Sequence, residues 1–145
     1  MKFRSHISKN GTLFFAGRTD SNNEELISQV KPEELVFHTA AAGSPFVNIK
    51  ENALEGDIKE AAILCARYSR EWKKNKTDIE VHVFKGKRIS KSKTMKLGTF
   101  GVKKFKKIKI KKEDIESFKP KPAKKGDLIR FGIIKDKVIK KVNKK

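Results

Sequence analysis

Residues 35–50 read LVFHTAAAGSPFVNIK. Leu35, Val36 and Phe37 form a short apolar run that predicts a buried strand, and the run ends in an imidazole, His38. Ala40 to Pro45 carry almost no side chains, a tight loop of the kind that lets another backbone or a ligand come close. Beyond it Phe46, Asn48 and Lys50 alternate with Val47 and Ile49, so a second strand returns from the loop. The segment is a strand, a turn and a strand, with its histidine at either a binding edge or an ordinary core corner.

The flanking sequence extends this into a sheet. KFRSHISKNGTLFFAG reads as two strands joined at Asn10-Gly11, the dipeptide that most favours a two-residue hairpin turn. DIEVHVF places Ile79, Val81 and Val83 on one face and Glu80, His82 and Phe84 on the other. TFGV and FKKIKIKK add strands, with Ile108 and Ile110 opposite Phe105, Lys107, Lys109 and Lys111. Same-face neighbours lie about 7 Å apart on a strand, so those lysines predict a straight basic track. Two helices interrupt the strands. Ser21-Asn22-Asn23-Glu24 fits a capping box opening a short helix through Val30, and Pro32 prevents its continuation. Asp57 to Glu60 gives a second start signal, followed by Ile58, Ala61, Ala62, Cys65, Tyr68 and Trp72 at helical spacing over about 17 residues. The expected fold is α+β: a mostly antiparallel sheet packed by one long and one short helix. It forms a single domain over residues 1–112, followed by a basic C-terminal extension, 113–145. There KPKPAKKG reads as an extended linker and DLIRFGIIKDKVIKKV as two further short strands.

At 145 residues the chain is long enough to bury a core without disulfides or metal. Its single cysteine, Cys65, excludes an internal disulfide and any multi-cysteine zinc site, and predicts a reducing compartment. Cys65 sits inside the helical stripe, where a buried, inert thiol is expected. No apolar run approaches the roughly 18 residues needed to cross a bilayer, and the N-terminus has no signal-peptide stretch, so a cytoplasmic location is expected.

Charge is distributed unevenly. Residues 1–84 carry 12 Lys/Arg and 12 Asp/Glu, while residues 85–145 carry 24 Lys/Arg against 5 Asp/Glu, which is the whole net charge of +19. Heat-adapted proteins enrich Lys and Glu together and would not leave one half so unbalanced. A polyanionic partner, above all a nucleic acid, accounts for it. The interleaved Phe84, Phe100 and Phe105 offer stacking surfaces for bases.

Catalytic and metal chemistry find less support. Nucleophilic catalysis needs a nucleophile beside an oriented base. The chain has His6, His38 and His82 on separate strands, with no nucleophile motif, no phosphate-binding loop, no dinucleotide glycines and no metal-ligand spacing. No metal and no cofactor are expected.

Taken in order, Gly17-Arg18, Asn23-Glu24-Glu25-Leu26, ELVFHTAAAGSPFVNI, EAAILCARYSREW and KSKTMKLG resemble the NFACT-R domain over about residues 10–112. That is the RNA-binding domain of ribosome-associated quality-control factors, which also occurs as a standalone protein. The family typically has D-x-W-x-H followed by Gly-Ser-His. Here those positions are Glu34, Val36 and His38, then Gly43, Ser44 and Pro45, so the aromatic and the second histidine are absent. The resemblance implies RNA as the partner, with the ribosome or tRNA as its source, and leaves room for a separately encoded protein that supplies the domains of the larger relatives. It also implies a polar site at Arg18, His38 and Ser44.

The expectation is therefore a non-enzymatic RNA-binding domain with a lysine-rich face. Lys85, Lys87, Arg88, Lys91, Lys93 and Lys96 would contact phosphates from the loop, and Lys103, Lys104, Lys106, Lys107, Lys109 and Lys111 would extend the track. Two alternatives stand beside it. One is an RNA-processing or RNA-modifying enzyme using His38 as general acid/base with Glu34 and Arg18; the other is a DNA- or anionic-surface-binding protein using the same lysines.

Overall fold

The computed structural model describes residues 3–135. Its centre is the pair read from the opening stretch, β3 (Leu35–Thr39) and β4 (Val47–Ile49), antiparallel with Val36 opposite Asn48. The connection from β1 (Arg4–Ile7) to β2 (Leu13–Ala16) passes through Asn10-Gly11 but is longer than the expected two-residue turn: Ile7 lies opposite Leu13, the Ser8 N–H donates to the Thr12 carbonyl, and the N–H of Gly11, whose φ is +84°, donates to the Ser8 carbonyl. β2 pairs with β4. On the other side, β5 (Ile79–Lys85) pairs with β3, and β8 (Lys106–Ile110) closes the edge. The six strands lie in the order β1-β2-β4-β3-β5-β8, every pair antiparallel. A short ribbon of β6 (Ile89–Ser90) and β7 (Gly101–Val102) stands apart from this sheet.

Strand alternation divides the core between the two faces of the sheet. Phe14, Phe37, Val47, Ile49, Ile79, Val81 and Ile110 point to one face, where α2 (Asp57–Arg67) covers them with Ala61, Ala62, Leu64 and Cys65. Leu13, Phe15, Val36 and Phe84 point to the other, covered by Leu26 of α1 (Asp20–Ser28), by the ribbon and by Phe100. This second cover is incomplete. Towards β8 it stops at Phe100 and Phe105, and the face beyond carries polar residues instead of apolar ones.

Helix boundaries depart from expectation where capping geometry decides them. Thr19, not Ser21, caps α1, its hydroxyl accepting from the Asn22 N–H at 3.1 Å. Asp57 does not cap α2. Gly56 occupies that position, and the Asp57 carboxylate turns inward to accept from the Thr12 hydroxyl at 2.7 Å and the Leu54 N–H at 2.9 Å. The long helix is also two helices. Ser69 Oγ accepts from the Trp72 N–H and starts α3 (Arg70–Asn75), so the apolar stripe continues across a break.

The segment after Lys112 packs on the domain. Ile115 of α4 (Lys112–Ser117) is fully buried among the α2-side residues. Ile7 N–H donates to the Lys121 carbonyl at 2.9 Å and Ala123 N–H to the Ser5 carbonyl, so the Pro/Lys stretch lies along the edge of β1. His6 fixes it there: its Nδ1 accepts from the Lys121 N–H at 2.9 Å, and its Nε2–H donates to Glu60 at 2.6 Å. The strand expected around residues 127–131 is corrected to a helix, α5 (Lys125–Arg130), with Leu128 and Phe131 on the second core. Residues 132–135 carry no strand, and the rest of that expectation, residues 136–142, lies outside the described residues.

Candidate nucleic-acid interface

The uncovered part of the second face is a cleft of about 850 Å³. Register builds its floor. His38 of β3 lies opposite His82 of β5, and His82 opposite Lys107 of β8, so three polar side chains cross three strands in one row. Glu80 and Lys109 form the next row outward. Aromatic rings surround the histidines: Phe46 is 4.4 Å from His38 between ring centres, Phe105 stacks on His82 at 4.2 Å, and Phe100 meets Phe46 edge-on at 5.4 Å. Phe105 is 44% exposed, so its ring is available for stacking in a way that the core phenylalanines are not.

His38 is held in one tautomer. Its Nδ1–H donates to the Thr39 carbonyl at 2.8 Å, and burial pulls its pKa below the ordinary histidine value. At neutral pH the imidazole is therefore uncharged and Nε2 is a hydrogen-bond acceptor. Beside it, His82 Nε2 meets Glu80 at 2.8 Å, and this contact, with Lys107 and Lys109 nearby, holds the Glu80 carboxyl below its usual range.

The 40–45 loop forms one wall. Gly43 has φ +97°, a region open to glycine, and a Cβ there would sit 2.9 Å from the Arg70 Cβ. Ser44 is buried, its hydroxyl accepting from the Thr39 N–H at 3.0 Å, and Thr39 Oγ1 donates to the Ala41 carbonyl at 2.6 Å. The opposite wall is the loop carrying Lys96 and Phe100, anchored by a clamp that the sequence does not announce. Glu24 on α1 accepts from both Lys91 Nζ and the Gly98 N–H at 2.8 Å, and the Lys91 contact holds its carboxyl below the usual range. Lys91 also donates to the Thr99 carbonyl and sits 4.7 Å from the Phe100 ring centre. This lysine positions a wall of the cleft.

The remaining candidates divide. Lys85 and Lys87 both pair with Glu33, at 3.0 and 2.8 Å, contacts that hold the Glu33 carboxyl down at about 2. Arg88 is half-buried in the turn before β6. Lys93, Lys96, Lys103, Lys104, Lys106, Lys107, Lys109 and Lys111 are exposed, and no ion pair engages them among the described residues. Lys106 lies opposite Val83 and so points to the α2 side, away from Lys107 and Lys109. Arg18 is not beside His38. It lines a separate polar pocket, and Ser44 borders both spaces.

The trio of the enzyme reading is not assembled. Glu34 immediately precedes β3, four residues before His38, and is tied to Lys50 at 2.8 Å. A strand separates those two positions by roughly 13 Å. Cys65 is fully buried, and burial pushes its thiol up to about 12, so it is inert at neutral pH. No group of three or more metal-ligating side chains occurs among the described residues.

Comparison with known proteins bears on the same residues. A 33% identical stretch of 87 residues is shared with the archaeal Rqc2 homolog aRqcH of Methanocaldococcus jannaschii, covering 57% of this chain and 13% of that protein. The chain thus spans about an eighth of the length of that relative. The solved C-terminal part of the fibronectin/fibrinogen-binding protein from Streptococcus suis superposes with a TM-score of 0.70 at 24% identity, covering 82% of this chain and 49% of that one, which establishes the shared fold. Residues 2–104 match the NFACT protein RNA binding domain, a span that holds both walls of the cleft and its two histidines. The chain belongs to the NFACT RNA-binding domain family.

Proposed function

We propose that this protein is a non-enzymatic RNA-binding module that takes an unpaired nucleotide of a structured RNA into the His38–His82 cleft. The flanking phosphates are held by the lysines of β8 and the adjoining loops. The observation that carries this reading is the single row His38–His82–Lys107, bordered by Phe46, Phe100 and Phe105. Sequence-specific RNA recognition favours unstacked bases laid on aromatic rings and read along their edges. A neutral His38 offers an acceptor to a base amine or ring N–H, Phe105 offers an exposed ring, and Lys107 and Lys109 stand where the backbone would pass.

Family membership supports RNA as the ligand. The likeness to an Rqc2 homolog and the resemblance to ribosome-associated quality-control factors support a target on the ribosome, ribosomal RNA or a bound tRNA, and hence a cytoplasmic location.

Fluorescence anisotropy with a hairpin RNA bearing a single-stranded loop tests the proposal. With about five phosphates neutralised, log affinity against log salt has a slope near −3 to −4 on single strands. Duplex DNA of equal length should compete poorly. A slope between zero and −1, or equal competition by duplex DNA, would reject the reading.

A further inference from the structure

On the other side of the 40–45 loop from His38 lies a polar pocket of about 390 Å³ that the lysine-based reading does not use. Four cations line it: Arg4, Arg18, Arg70 and Lys73, against a single carboxylate, Asp20. All four come from the first 84 residues, the part of the chain with equal numbers of acids and bases. Folding separates those charges. Glu24, Glu33 and Glu34 are engaged in ion pairs elsewhere, Glu60 and Glu80 are hydrogen-bonded to His6 and His82, and Asp57 faces inward to Thr12. None of the four cations of the pocket is in an ion pair among the described residues.

The pocket is built rather than loosely gathered. The Arg70 N–H donates to the Gly43 carbonyl at 2.9 Å, and the Arg70 stem packs where a Cβ on Gly43 would be. The Arg4 guanidinium lies 3.8 Å from the centre of the Tyr68 ring, a contact that orders the side chain without neutralising it. The volume is that of about a dozen waters, enough for a phosphate group with part of its sugar. Asp20, Asn23, Gly43, Ser44 and Arg70 border this pocket and the His38 cleft alike, so the two spaces adjoin across Gly43, the point on the 40–45 loop where no side chain stands.

We infer that Arg4, Arg18, Arg70 and Lys73 form a phosphate-binding site adjoining the His38 cleft, which grips the RNA strand as it leaves that cleft over Gly43. The inference rests on the RNA-binding reading above and adds a strand path: β8 lysines on one side of the bound base, the arginine pocket on the other. Arginine suits this end because its planar fork binds phosphate oxygens in pairs.

The test uses the full chain and single-stranded RNA of about ten nucleotides, prepared with a 5′-phosphate, a 3′-phosphate or neither. The triple variant Arg18→Gln, Arg70→Gln, Lys73→Gln is compared with wild type across a salt titration. Loss of two to three phosphate contacts makes the slope less steep by about 1.4–2.1, and affinity near about 0.1 M salt falls at least roughly tenfold. Should the Arg70 substitution unfold the protein, Arg18→Glu with Lys73→Glu, both without packing contacts to Gly43, gives the same readout. Equal affinity of the three wild-type oligonucleotides assigns the site to an internal phosphodiester; tighter binding of one phosphorylated end assigns it to a terminal phosphate. A variant that is folded and keeps the wild-type slope, while Lys107→Gln with Lys109→Gln loses steepness, overturns this inference and leaves the RNA-binding reading intact. Wild type that fails to bind any of the oligonucleotides or the hairpin overturns both.

Discussion

On β8, Lys107 and Lys109 stand on an exposed edge with no ion pair among the described residues. Around residues 85–91, lysines of the same basic half are tied to Glu33 and Glu24. Composition does not distinguish these two regions, because both are runs of lysine with few acids beside them. The fold does. An acid distant in sequence but near in space converts a candidate phosphate contact into a structural clamp, as Glu24 does with Lys91 across 67 positions. The converse holds at the arginine pocket, where a neutral stretch of sequence gathers four cations against one carboxylate, Asp20. Net charge predicts the kind of partner, and the pairing of charges in the folded chain decides where that partner sits.

Four changes break or sharpen this contrast. The largest effect is expected from truncation after Lys112, because the removed segment is basic by composition yet structural by packing. It takes Ile115 from the core and the Lys121–Ala123 pairing from β1, and the loss of Ile115 alone is worth about 2–5 kcal/mol. Urea unfolding checks this; an unchanged midpoint would make the segment an appendage. Next, Lys107→Gln with Lys109→Gln should make the salt slope less steep by about 1.4 and weaken RNA binding roughly twentyfold near 0.1 M salt, with melting temperature held. An unaltered slope would show that the β8 edge is only a solvated surface.

His38→Ala should weaken RNA binding by about 1–2 kcal/mol, the scale of a lost hydrogen bond. The imidazole also carries a pH signature. Its folded pKa is depressed below the unfolded value near 6.5, so its contribution to stability is complete above that value and is lost as pH falls from there through the folded pKa. Wild type should therefore lose more stability between about pH 7.5 and 5.5 than His38→Gln does. Parallel profiles would place His38 in an environment no different from water. The smallest effect belongs to Glu33→Gln, which frees Lys85 and Lys87 and should tighten RNA binding about twofold, since solvent screens exposed pairs and leaves little to release. If affinity were unchanged, those two lysines would lie outside the RNA path.

Much of this architecture was legible in the sequence. The β1–β2 hairpin at Asn10-Gly11, the alternation of Ile79, Val81 and Val83, and the stripe from Ala61 to Trp72 were each marked locally and kept on folding, whereas Ile58, read into the same stripe, is exposed. Local capping chemistry was legible only in part. Ser21 and Asp57 have the right residue type for caps, but Thr19 and Gly56 have the right place, and the Ser69 cap that divides α2 from α3 lies within an unbroken apolar stripe. The His38 loop was legible because small residues and a glycine at positive φ leave a mark in sequence. The row His38–His82–Lys107 was not, since it depends on the register of three strands spread over 70 residues. The Glu24–Lys91–Gly98 clamp was hidden for the same reason.

Nitrogen-15 amide shift mapping with a short single-stranded RNA tests most directly whether the interface is the second face of the sheet. The largest changes are expected at His38, Gly43, His82, Phe100, Phe105 and Lys107, with a second group at Arg18, Arg70 and Lys73. Changes concentrated instead on the α2 face, or confined to Lys85 to Lys93 with His38 and His82 unmoved, would contradict it.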